Sequence, residues 1–178
     1  MIKLLMVFFI SLMHSETFRE SLNALRNANV EKCDSLLKQA YFEADSLEKN
    51  DVLFVMEIVE KYPDFKILSL LGEFYLHIYF GEKVPKYVSR TSEDDLGTYL
   101  LLLGNITQST ADLSSNLKLI ETIQDTLLKV HGALLLCRSF INSNKRECIN
   151  LLESLIKSNP QTPYSELLQG YLEIYKKR

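Results

Sequence analysis

Leucine and other apolar residues recur along this chain every three or four positions, and polar or turn-forming residues interrupt them at short intervals. That period predicts helices throughout. Thr17-Phe18-Arg19-Glu20 has the spacing of a capping box and predicts a helix start at Thr17, with Phe18, Leu22 and Leu25 as one apolar stripe. Asn27-Ala28-Asn29 stops it, and a second helix is expected from Val30 to about Ala44, with Cys33, Leu36, Leu37 and Ala40 inward. A third is expected from Asp51 to Glu60, ended by Pro63, which cannot supply the next helical hydrogen bond. The fourth, Phe65 to Phe80, is apolar nearly all round and must pack on several sides, with Gly81 as its stop. Ser92 reads as the cap of a fifth, with the carboxylates Glu93, Asp94 and Asp95 in its first turn and Gly104 at its end. Further helices are expected over Ala111–Ile123 and Leu127–Ile141. Another starts at Asn144, with Glu147 as its capping partner, and stops before Asn159-Pro160. The last has Thr162 as cap and Pro163 at its first position.

Isolated helices below roughly 12–15 residues are marginal in water, so short helices of this kind must bury their stripes on one another. Leu68-x2-Leu71-Gly72-x2-Tyr75 matches the first-helix signature of a tetratricopeptide repeat, with an aliphatic residue in the tryptophan slot. Cys33-x3-Leu37-x2-Ala40 and Cys148-x3-Leu152-x2-Leu155 share a second-helix layout, small then large, and Pro160 closes the latter where the repeat places proline. The expected fold is therefore all-α: a right-handed, TPR-like helical-repeat solenoid of antiparallel helix pairs over residues 16–178, preceded by an apolar segment, 1–15. An irregular helix bundle is the competing arrangement. In the repeat register, Glu73, Leu76 and His77 on one first helix, and Ala133, Cys137 and Phe140 on another, face the groove and are the expected partner-binding residues. Leu76 and Phe140, if exposed, would form an apolar patch that calls for a partner.

Composition narrows the functions open to such a chain. Of 178 residues, 47% are apolar and 24% charged, with 6 Gly and 4 Pro, too few turn residues for a sheet protein of this length. The net charge is -3 and no stripe of Lys and Arg is present, which argues against a nucleic-acid partner. The terminal Lys176-Lys177-Arg178 run suits the negative end of a last helix. Three cysteines, Cys33, Cys137 and Cys148, fit neither a disulfide framework nor a zinc pattern and point to a reducing compartment. Ile2–Met13 points the other way, since it resembles a short signal-peptide core. Either this segment is cleaved or translation starts at Met13, and Asn105-Ile106-Thr107 adds a glycosylation sequon to the first reading.

Catalytic chemistry is not indicated. The glycines form no phosphate loop, and His14, His77 and His131 are far apart without an H-E-x-x-H pair. His131 reads as a core or groove histidine, and Cys137 and Cys148 as buried, inert thiols. No enzyme activity, cofactor or metal is expected.

Several blocks, in order, resemble the epsilon subunit of the coatomer, the coat of retrograde Golgi vesicles. Glu16-Thr17-Phe18, Asn23-Ala24 and Cys33 are similar to that family's opening helix pair, and Asn50-Asp51-Val52-Leu53-Phe54 leading to Phe65 to its second helical segment. Thr98-Tyr99-Leu100-Leu101 resembles the start of its central repeats, and Leu135 to Tyr175 the next repeat and following helix. The family continues with further repeats where this chain ends, so the resemblance implies a shortened form. It also implies a curved scaffold gripping the C-terminal region of the coatomer alpha subunit, cytosolic and held at Golgi membranes only through the complex. The alternative is a secreted helical protein with a cleaved signal peptide.

Overall fold

The computed structural model describes residues 14–83, 94–108 and 112–177, and among them it contains nine helices and no strand. They are α1 (Glu16–Arg26), α2 (Val30–Glu43), α3 (Ser46–Lys61), α4 (Phe65–Phe80), α5 (Asp95–Gln108), α6 (Leu113–Thr122), α7 (Thr126–Phe140), α8 (Lys145–Ser158) and α9 (Pro163–Lys177). None of these helices is long and apolar enough to cross a membrane. The residues 1–13 of the N-terminal segment and the Ser92 cap lie outside the described residues.

Side-chain capping starts every helix but α8. Ser15, Asn29, Asp45, Asp64, Asp94, Asp112, Asp125 and Thr162 each accept a hydrogen bond from a backbone N–H two or three residues on, removing one unpaired donor. Several expected boundaries move as a result. The expected capping box at Thr17 does not form: Ser15 caps α1 instead, and the Thr17 hydroxyl donates to Glu43 at 2.6 Å. α3 begins at Ser46, not Asp51, because Asp45 caps it through the Glu48 N–H at 3.0 Å. α5 passes through Gly104 and runs to Gln108, and Thr107 donates to the Gly104 carbonyl within the helix. At α8, Asn144 holds the cap position but Glu147 is not its partner. The Asn144 Oδ1 instead accepts from the Ser143 hydroxyl at 2.9 Å, and no side chain caps the helix.

The chain divides into two compact units, Met1–Ser89 and Arg90–Arg178. In the first, α1 packs against α2 and α4, and α2 against α3. Phe18, Leu22, Leu25, Cys33, Leu37, Val52, Val55, Leu68, Leu71 and Tyr75 are fully enclosed there. In the second, α5 packs against both α6 and α7, α6 against α7, α7 against α8, and α8 against α9. Tyr99, Leu100, Leu103, Leu128, Leu136, Cys148, Leu152 and Leu168 carry that core. Each enclosed leucine or phenylalanine removes apolar surface worth about 1.5–3 kcal/mol from water, and this burial is what holds such short helices in place.

Candidate functional site

Gly72 sits on the face of α4 that meets α1. A Cβ there would lie 2.5 Å from the Arg26 backbone nitrogen and 3.0 Å from the Leu22 carbonyl oxygen, so only glycine allows this approach. Ser69, one turn earlier, donates its hydroxyl to the Arg26 carbonyl across the same contact. α4 then ends at Gly81, whose left-handed backbone (φ 66°) turns the chain. The turn brings Glu82 back onto α1, where its carboxylate accepts from Arg19 at 3.0 and 3.1 Å and from Arg26 at 3.3 Å. His77 lies on the last turn of α4 with Nδ1 at 2.6 Å from the Glu82 carbonyl. A carbonyl only accepts, so Nδ1 carries the proton.

The six expected partner-binding residues fall into two groups. Leu76, Ala133 and Cys137 are enclosed, at 1%, 0% and 0% exposure. Leu76 is therefore a core residue, not part of an exposed apolar patch: α4 is apolar on most sides and buries this one too. Glu73, His77 and Phe140 keep part of their surface. Glu73 and His77 stand one turn apart on α4 in the first unit, and Phe140 closes α7 in the second.

α7 is tied to its neighbours in the second unit by polar contacts. His131 is buried and its Nδ1 meets the Tyr99 hydroxyl at 2.7 Å, so of the core and groove positions expected for it, it takes the core one. A Cβ on the adjacent Gly132 would come within 2.7 Å of Leu102 Cδ2, so α7 and α5 cross closely at this point. Arg138 donates to the Tyr171 hydroxyl at 2.6 Å and lies over that ring, 5.4 Å from its centre, tying α7 to α9. A groove of about 410 Å³ runs over α6, α7 and α8, bordered by Leu117, Glu121, Lys129, Glu147 and Leu151. Among the described residues, no group of three or more His, Cys, Asp or Glu side chains is placed to hold a metal ion.

Three features escaped the sequence reading. Glu82 joins α1 residues 56 and 63 positions away, and nothing in the local pattern signals that. His14 pairs with the buried Asp51 at 3.0 Å and packs on Tyr79, ring centres 4.9 Å apart. Asp95, read as helix-start charge, accepts from the backbone N–H groups of Gln124 and Asp125 at 3.0 and 2.6 Å and pins the start of α7. The sequon lies inside α5: Asn105 donates its amide to Asn116 at 3.0 Å, and Thr107 is buried. Burial pushes the Cys33 thiol up to about 12, with Asp34 adding to the effect, so this cysteine is protonated and inert at neutral pH.

These contacts define an all-helical protein whose helices meet through glycine crossings and side-chain caps. No protein family, curated protein or solved structure matches the chain.

Proposed function

We propose that this chain is a non-catalytic interaction scaffold, a TPR-like array of antiparallel helix pairs that presents a groove to a protein partner. The observation that carries the reading is the arrangement of α5, α6 and α7. α5 meets its neighbour α6 and also α7, the next helix but one, with Gly132 at the crossing. Contacts from each helix to the next and the next but one are what let helical hairpins stack and extend while one face stays open. Glu73, His77 and Phe140, which retain surface, are the side chains this reading assigns to the partner.

The order of sequence blocks resembling the coatomer epsilon subunit makes the alpha subunit of that coat the proposed partner, in Golgi-to-ER retrograde transport. On this reading the chain works in the cytosol and reaches membranes only through the complex. Affinity purification of the full chain from its native cell tests this. Recovery of the alpha and beta-prime coat subunits is the expected result, and recovery of neither rejects the assignment. A native chain that starts at Glu16 and carries a glycan on Asn105, read by intact mass, would establish the secreted alternative instead.

A further inference from the structure

We infer that Cys137 and Cys148 form an oxidisable thiol pair that closes to a disulfide between α7 and α8 in the presence of a peroxide. Cys137 lies in the last turn of α7 and Cys148 in the first turn of α8, so the short connection between these helices sets them opposite one another. The Cys137 thiol donates to the Cys148 carbonyl at 3.7 Å, which places the Cys137 sulfur against the Cys148 backbone. Both are enclosed, at 0% and 1% exposure. Disulfide geometry demands such a facing pair on neighbouring elements, and the third cysteine, Cys33, lies in the other unit.

The environment assigns the roles. The Cys137 thiol commits its proton to the Cys148 carbonyl, and the neighbouring Cys148 together with burial holds it well above the ordinary thiol range. Cys148 is therefore the attacking sulfur. Its thiolate attacks one oxygen of hydrogen peroxide. The O–O bond breaks, and the departing hydroxide takes up a proton to become water, leaving a sulfenic acid on Cys148. The Cys137 sulfur then attacks the Cys148 sulfur. The S–O bond breaks, the S–S bond forms, and the second hydroxide leaves as water with the Cys137 proton. Two thiols are oxidised and one peroxide is reduced to two waters. Tyr175 supplies a second, independent sign of chemistry at this place. Its hydroxyl is buried, lacks any hydrogen-bond partner, and lies within electrostatic reach of both thiols and of Arg138. Burial raises its pKa, so it keeps its proton and remains a donor for the departing hydroxide or the sulfenate.

The test uses the full chain, folded, at neutral pH. It is treated with hydrogen peroxide, then denatured, alkylated and read by intact mass and peptide mapping. Alkylation should fall from three cysteines to one, with the label on Cys33 and a cross-linked peptide joining Cys137 to Cys148. Three labelled cysteines would overturn the inference, as would separate sulfinic acids on Cys137 and Cys148 or a cross-link seen only when oxidant is added after denaturation. In Cys137→Ser, dimedone should trap the sulfenic acid on Cys148. An adduct on Cys137 in Cys148→Ser, with none on Cys148 in the reciprocal variant, would overturn the order of attack. Tyr175→Phe should slow cross-linking several-fold, and an unchanged rate would remove Tyr175 from the step.

Discussion

Ala28 holds the left-handed backbone (φ 56°) that glycine usually occupies at a helix C-terminus. The motif around it is complete: the Ala28 N–H donates to the Leu25 carbonyl and the Asn29 N–H to Ala24, both at 2.9 Å. The strain of a Cβ there exceeds the extra chain entropy that glycine would bring to the unfolded state. Ala28→Gly should therefore stabilise the protein by about 0.5–1 kcal/mol, measured by chemical denaturation. Two glycines make a sharper test because one substitution should act with opposite sign. Gly72→Ala drives a methyl into the α1 backbone and should cost about 1–3 kcal/mol. Gly170→Ala meets nothing within 4 Å on an exposed turn of α9 and should gain about 0.5–1 kcal/mol from helix propensity. The position of Gly72 was legible in the first-helix signature that it shares with Leu68, Leu71 and Tyr75. That of Glu82 was not, because its arginines are distant in sequence and only the packing of α4 on α1 brings them within reach.

At the level of the element, aspartate is the commonest starting signal, and it explains which boundaries were legible. Thr162-Pro163 and Asn29-Val30 announced their helices, whereas Asp45, Asp112 and Asp125 stand among other polar residues that could equally have belonged to loops. Gly104 misled for the converse reason: a glycine that closes a leucine run and is followed by Asn105 reads as a stop, yet burial of Leu103 and Ile106 on either side carries α5 through it. The caps also have a pH signature. Asp112 is held below the ordinary aspartate pKa by the hydrogen bond it accepts from Ser115, so folding favours its ionised form. A depressed folded-state pKa gives stability that is complete above the unfolded value, about 4, and is lost as pH falls through the folded one. The stability difference between the parent chain and Asp112→Ala should therefore hold steady above about pH 5 and shrink below about pH 4, by urea denaturation at stepped pH. Asp112→Asn keeps an acceptor oxygen and should show a much weaker acid-dependent loss.

Across the whole molecule, the helical class was legible because the period of apolar residues fixes it, but the pairing of helices was not. Every stripe is rich in leucine, and nothing in its composition says that α1 meets α4, three helices on, whereas α5 meets α7, two on. The same ambiguity affected the residues assigned to a partner. Repeat register alone cannot separate an open groove from a closed crossing, and Leu76, Ala133 and Cys137 prove enclosed. The proposed scaffold reading can be tested through this division. Leu76→Ala removes enclosed side-chain volume and should cost about 2–5 kcal/mol, weakening partner capture only in step with the lost fold. Phe140→Ala, and Glu73→Ala with His77→Ala, alter side chains that keep surface, and should leave the helical circular dichroism signal intact. If these residues contact the partner, their loss should lower capture of the alpha coat subunit about tenfold or more, the effect of removing roughly 1.4 kcal/mol or more of binding energy. Unchanged capture by folded variants would move the interface off the faces of α4 and α7.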